Sequence, residues 1–104
     1  MIKIKSIKNR NSDIKGFTLE GHAAYAPEGQ DIVCSAISAL SYTLAGALKY
    51  YDIRHSFIDE EVLRIKIEEE ITDSMSIIIK TIETGYRQIA EQYSNYVSID
   101  EGEL

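Results

Sequence analysis

One histidine and one cysteine stand at a spacing that suits nucleophilic catalysis. His22 follows a run of alternating apolar and polar residues, and Cys34, the only cysteine in the chain, comes twelve positions later. Cysteine is a nucleophile only as the thiolate, so it needs a base or a field that favours the negative charge. A histidine within hydrogen-bond reach can accept the thiol proton and later protonate a leaving amine. The pair therefore predicts a cysteine nucleophile with histidine as general base.

The cysteine falls in the first turn of a predicted helix. Asp31 stands where an N-cap belongs, which makes Cys34 the third helical residue. The free N–H groups and the dipole of a first turn favour a negative charge there. Cys34 lies beside the apolar stripe of the helix, in a row that continues with Ser38 and Ser41. The stripe itself consists of Val33, Ile37, Leu40, Leu44, Leu48 and Tyr51.

Each of these residues also has a purely structural interpretation. A lone cysteine is commonly a small buried apolar group, and a lone histidine after a strand is usually a loop residue. Asp31 has three open roles, because it can cap the helix, orient His22, or do both. His22 and Cys34 are too few ligands for zinc, and His55 falls in a distant polar loop, so these residues predict no zinc site.

The elements that must position the site predict an α+β fold for residues 1–104 as a single domain. Apolar and polar residues alternate in four segments, which predicts four strands. Two further segments carry apolar residues at helical spacing, the second of them beginning near Thr72 or Asp73. We expect a two-layer sandwich of a four-stranded sheet and two helices in the order ββαβαβ. The predicted strands are 2–8, 14–21, 62–69 and 96–100, and residues 52–61 are predicted as a polar connection.

The segment between His22 and Asp31 predicts a substrate loop. Residues 23–30 include Ala23, Tyr25, Pro27 and Gly29, and they lack a large aliphatic anchor. Such loops open at low free-energy cost. We therefore expect a mobile loop that orders over substrate, with His22 and Cys34 farther apart than a hydrogen bond in the free protein.

The amino-acid composition limits the kinds of function that the chain can have. The chain has 104 residues, and its 17 acidic side chains exceed its 11 basic ones by 6. This balance disfavours direct nucleic-acid binding, which needs a basic stripe. The longest run of large aliphatic residues is Ile77-Ile78-Ile79, too short to span a membrane. No signal peptide is apparent, and a cytoplasmic location fits best.

The segments GHA at 21–23 and GQDIVCSAISAL at 29–40 resemble the signature of the ribosomal-processing cysteine protease family, Prp. The similarity extends over the whole chain, and Ser35 stands where the family more often has alanine. The resemblance implies an endopeptidase that removes a short N-terminal extension from large-subunit ribosomal protein number twenty-seven. It implies Cys34 as nucleophile and His22 as general base, with Gly21, Asp31 and Ser38 in supporting positions. It also implies a homodimer that needs no metal or cofactor.

Two other classes of function use the same residues. A non-catalytic ribosome-associated binding module could keep this fold without turnover, although intact Gly21, His22, Asp31 and Cys34 argue against that. A thiol redox sensor would use a low-pKa Cys34, but the chain has no second cysteine to resolve the oxidised form.

Overall fold

A five-stranded mixed sheet forms one layer of the fold and two helices form the other. The structure is a computed structural model that describes residues 1–27 and 30–100. The α+β class and the two helices are as the sequence predicts, whereas the sheet has one strand more. The elements are β1 (Ile2–Lys8), β2 (Ile14–Glu20), α1 (Ile32–Tyr50), β3 (His55–Asp59), β4 (Val62–Ile67), α2 (Asp73–Gln92) and β5 (Val97–Asp100).

The alternation of apolar and charged residues decides which face of the sheet is covered. In β1, Ile2 and Ile4 are buried while Lys3 and Lys5 are exposed. Successive strand residues point to opposite faces, so only one face of β1 packs against the helices. The strand order is β3-β4-β2-β1-β5, with β5 parallel to β1 and every other neighbour antiparallel. The parallel pair is possible because α2 carries the chain back across the sheet.

The additional strand, β3, corrects the prediction of a polar connection over residues 52–61. It pairs with β4 from His55 opposite Ile67 to Asp59 opposite Leu63. As an edge strand it has only one neighbour, so its side chains stay partly exposed and show no apolar alternation. The turn into β4 holds Glu60 and Glu61 and lacks the glycine, asparagine or proline that marks hairpins. The observed order is therefore ββαββαβ.

Helix α1 is long and apolar enough, at a mean hydropathy of 1.4, to cross a membrane by composition alone. One face of the helix instead lies in the core, where Val33, Leu44 and Leu48 are fully buried, whereas Ile32, Tyr42 and Tyr50 are exposed. The helix ends at Tyr50, and the C-cap residue Tyr51 is 62% exposed. Placing Tyr51 on the core stripe was wrong, because the helical period stops one residue earlier.

A buried polar pair joins the two helices. The Ser41 hydroxyl donates to the Ile37 carbonyl at 2.9 Å, and its oxygen lies 2.8 Å from the Tyr86 hydroxyl. Because the Ser41 hydroxyl donates its one proton to the Ile37 carbonyl, the Tyr86 hydroxyl donates to the Ser41 oxygen. Burial raises the pKa of Tyr86 to about 12, so the phenol stays protonated. Ser41 is therefore a core residue, although the sequence placed it in the polar row beside the stripe.

This pair predicts unequal costs for its two deletions. Ser41→Ala leaves the buried Tyr86 hydroxyl without a partner and is expected to lower the free energy of unfolding by about 1–3 kcal/mol. Tyr86→Phe leaves Ser41 bonded to Ile37 and is expected to cost only about 0.5–1.5 kcal/mol. Urea denaturation of both variants checks the order, and a larger loss in Tyr86→Phe would contradict this bonding pattern.

Candidate active site

An open cleft with a volume of about 200 Å³ lies where β2 ends and α1 begins. It brings together four of the residues singled out from the sequence: Gly21, His22, Cys34 and Ser38. Ser38 lies one turn after Cys34 on α1, so both side chains face the same space. The remaining lining residues are Ile2, Leu19, Ile37, Ser41, Asp59, Glu60, Glu61 and Leu63.

Cys34 owes its position to the cap that starts α1. Asp31 is the N-cap, as the sequence predicts, and one oxygen of its carboxylate accepts from the Val33 and Cys34 N–H groups, each at 3.0 Å. Cys34 is therefore the third helical residue and is fixed by its own backbone bond to the cap. Its side chain is half-buried and packs against the core from the edge. A thiol in this position is held rigidly and remains reachable from the cleft.

The structure assigns Asp31 a role that the sequence left open. Its second oxygen accepts the Tyr25 N–H at 3.1 Å, so the buried carboxylate joins α1 to the loop before it. The pKa of Asp31 lies below its ordinary value of 3.8, chiefly because the Cys34 N–H donates to the carboxylate. Burial acts in the opposite direction. Asp31 does not line the cleft, and no hydrogen bond joins it to His22 within residues 1–27 and 30–100.

The backbone conformation of Gly21 determines where His22 lies. Gly21 has φ +89°, in the left-handed region that side chains disfavour, and lies between the last residue of β2 and the histidine. A Cβ on Gly21 would lie 2.3 Å from the Met1 carbonyl oxygen, so larger residues do not fit. The glycine lets the chain turn sharply from the sheet, and the exposed His22 lines the cleft as a result.

The predicted catalytic pair shares a cleft without being bonded. No hydrogen bond joins His22 to Cys34 in the described part of the chain, in line with the expectation for the free protein. Catalytic hydrogen bonds are often long in unliganded enzymes and tighten when substrate binds, so the arrangement is compatible with a Cys-His pair. Among the same residues, no group of three or more His, Cys, Asp or Glu side chains is placed to hold a metal ion.

The loop before α1 has an anchor that the sequence did not reveal. Ala23 is 3% exposed, and the Tyr25 ring packs edge-on against Tyr93 and Tyr96 at centroid distances of 5.6 and 5.1 Å. The expectation that little holds this loop to the core was therefore wrong for these two residues. None of Ala23, Tyr25 and Pro27 lines the cleft, and the predicted loop residue Gly29 lies outside the described residues.

The end of β3 and the turn that follows it contribute three carboxylates that were not predicted as site residues from the sequence. Asp59, Glu60 and Glu61 line the cleft opposite α1. The Tyr42 hydroxyl of α1 donates to Asp59, which raises the pKa of Tyr42 and ties the turn to the helix. The run Asp-Glu-Glu was visible in the sequence, but only the pairing of β3 with β4 brings it to the cleft.

The two functions of Asp31 can be separated by substitution. Asp31→Ala is expected to lower Tm by about 4–8 °C at pH 7, because the helix loses its cap. Asp31→Asn keeps one acceptor for the helix, so its Tm should fall less, while exchange of the Tyr25 amide accelerates in both variants. The lowered pKa means that the stabilisation is full above pH 3.8 and is lost as the pH falls through the folded-state value. Equal Tm values for the wild type, Asp31→Ala and Asp31→Asn at pH 7 would refute the capping role.

Comparison with known proteins places the chain among relatives of one description. Two relatives, each described as "Ribosomal processing cysteine protease Prp", come from Mycoplasma genitalium and Mycoplasma pneumoniae. The first is 28% identical over 85 residues, which is 79% of this chain and 83% of the relative. The second is 26% identical over 91 residues, which is 81% of this chain and 84% of the relative.

A solved structure shows the same fold. It is described as an essential ribosomal processing protease Prp from S. aureus in complex with a covalently linked product peptide. It matches 98% of this chain and 100% of its own with a TM-score of 0.89 at 21% identity. A family model described as "Cysteine protease Prp" matches residues 1–98. The chain therefore belongs to the cysteine protease Prp family.

Proposed function

We propose that this protein is a cysteine endopeptidase that removes the N-terminal extension of large-subunit ribosomal protein number twenty-seven during ribosome maturation in the cytoplasm. The observation that carries the proposal is the cleft between the end of β2 and the start of α1, which both His22 and Cys34 line. Membership of the Prp family supports ribosomal processing, and the identity of the ribosomal protein rests on the resemblance of the motifs at 21–23 and 29–40.

The proposed reaction proceeds through a thioester. His22 accepts the Cys34 proton, and the thiolate attacks the peptide carbonyl to give a tetrahedral intermediate. His22 then protonates the departing amine, which leaves the N-terminal fragment bound as an acyl-enzyme. Water attacks the thioester while His22 takes its proton, and the thiolate is released with the new carboxylate. Ser38, on the same helical face as Cys34, offers a hydroxyl to the substrate backbone.

Cleavage of the precursor tests this function. The ribosomal protein precursor encoded in the same genome is incubated with the wild-type protein and analysed by intact-mass spectrometry. We expect one cut that releases the N-terminal extension, and no cut in a precursor whose extension has a scrambled sequence. Binding of the precursor without any mass change would instead identify a non-catalytic binding module.

We further propose that the protein is a homodimer. Exposed apolar side chains remain at Tyr50, Tyr51 and Ile77, the last of them 67% exposed on α2. A self-complementary contact between two copies covers such side chains on both at once. Light scattering at tens of micromolar should give twice the chain mass of 11.7 kDa, and Ile77→Lys should shift the mass toward that of one chain. A wild-type protein with the mass of one chain would contradict the proposal.

A further inference from the structure

The backbone that follows His22 is held at two points. Ala23 is buried in the core, and the Tyr25 N–H donates to a carboxylate oxygen of Asp31 at 3.1 Å. Ala24, between them, has φ +55°, a left-handed value that residues with a side chain rarely adopt. Strain of this kind persists only where the surrounding structure fixes the residues on either side. The contacts of Ala23 and Tyr25 therefore hold residues 23–25 in one conformation.

The Tyr25 ring packs on two tyrosines that the backbone fixes in place. It meets Tyr93, the C-cap residue of α2, and Tyr96 edge-on, at interplanar angles of 86° and 76°. The Tyr93 carbonyl accepts the Tyr96 N–H at 2.8 Å and the Val97 N–H at 3.0 Å. The Tyr96 carbonyl accepts the Ile2 N–H at 2.8 Å. The tyrosine pair, Tyr93 and Tyr96, is thus bound to α2, β5 and β1, and because edge-to-face contacts are directional, it determines where the Tyr25 ring lies.

Tyr25 joins the backbone that carries His22 to the helix that carries Cys34. One Asp31 oxygen accepts the Tyr25 N–H, and the other accepts the Cys34 N–H at 3.0 Å. His22 lies three residues before Tyr25, and its side chain has no hydrogen-bond partner in the described part of the chain. The position of the His22 imidazole therefore depends on the backbone around it, which Gly21 fixes on one side and residues 23–25 fix on the other. A change at Tyr25 alters the position of His22 relative to Cys34.

We propose that Tyr25 is a positioning residue of the peptidase, which holds His22 in place relative to Cys34 through the contact of its ring with the tyrosine pair. The inference rests on the proposed peptidase function, because it assigns Tyr25 a part in that reaction. Tyr25 does not line the cleft, so it acts through the backbone of residues 23–25 and makes no contact with the substrate. Displacing a reacting group by about 1 Å can reduce turnover by about 10²-fold.

Alkylation of Cys34 by iodoacetamide tests this role without any substrate. The rate at pH 7 is measured by intact-mass spectrometry for the wild type, Tyr25→Ala, His22→Ala and the double variant. Tyr25→Phe is the matched control, because it keeps the ring and removes a hydroxyl that has no hydrogen-bond partner among the described residues. Cleavage of the ribosomal precursor gives kcat and KM for the same proteins, and circular dichroism gives the Tm of each.

Tyr25→Ala is expected to slow alkylation about threefold or more and to lower kcat about tenfold or more, with KM changed by less than about twofold. The side chain is 42% exposed, so the variant should stay folded. Tyr25→Phe should keep the wild-type rates. The double variant should react no more slowly than His22→Ala alone, because substitutions that act through the same group are not additive.

Wild-type alkylation and kcat in Tyr25→Ala would overturn the inference, and so would a further loss of rate in the double variant. A rise in KM alone would make Tyr25 a substrate contact, and an unfolded Tyr25→Ala would make it a core residue, so either result contradicts the positioning role. Alkylation that depends on Tyr25 only when His22 is present, in a wild-type protein that cuts no precursor, would support the inference and refute the peptidase function.

Discussion

Cys34→Ala is expected to lower kcat/KM for the ribosomal precursor by roughly 10³-fold or more while the fold stays intact. The substitution removes the nucleophile, and the remaining residues of the cleft cannot form the thioester. Cys34 is half-buried at the edge of the core, so its loss should cost about 1 kcal/mol of unfolding free energy or less. Steady-state cleavage and urea denaturation of the same preparation measure both quantities.

Ser35→Ala is the matched control for this result. Ser35 is exposed on the same turn of α1 and does not line the cleft, so its variant should cleave at the wild-type rate. A Cys34→Ala protein with wild-type activity would end the thiol-protease account. A protein that is inactive because it is unfolded would assign Cys34 to packing.

His22→Ala is expected to reduce turnover by about 10²–10⁴-fold, because the thiol loses its base and the leaving amine loses its proton donor. Alkylation of Cys34 by iodoacetamide should slow in the same variant, since the reagent reacts with the thiolate. His22 is exposed and has no bonded partner in the described residues, so its loss should leave Tm within a few degrees. Initial rates of cleavage and of alkylation across pH 5–9 provide the measurement.

The second histidine of the chain serves as the control. His55 lies on β3, where its Nδ1 is 2.7 Å from the Ile53 carbonyl oxygen, and it does not line the cleft. His55→Ala should therefore keep wild-type alkylation and cleavage rates. If Cys34 of the His22→Ala variant is alkylated at the wild-type rate over the whole pH range, His22 does not affect the reactivity of the Cys34 thiol.

Local signals in the sequence located α1 and its cap. Asp31, the apolar period from Val33 to Leu48, and the position of Cys34 beside that period all depend on residues within one helix. The sequence also predicted correctly that β2 ends at Gly21 and His22, to within one residue. Short-range periodicity and capping chemistry predict features of this kind, because their physical causes lie within a few residues.

Features that depend on pairing between distant segments could not be predicted in this way. Strand β3 forms because it pairs with β4. Its own residues show no alternation of apolar and polar side chains that would predict a strand. For the same reason, Glu60 and Glu61 were not connected with the site. The anchoring of Tyr25 depends on Tyr93 and Tyr96, about seventy residues away in sequence.

Alkylation of the wild-type protein tests the central claim, that the Cys34 thiol is the nucleophile, without any substitution. Because Cys34 is the only cysteine, the mass shift of the intact chain reports the modified fraction of that one atom. Samples alkylated to increasing extents by iodoacetamide are assayed for precursor cleavage. We expect residual activity to equal the unmodified fraction and to reach zero when every chain carries the label. A fully labelled protein that still cleaves the precursor at the original rate would contradict it.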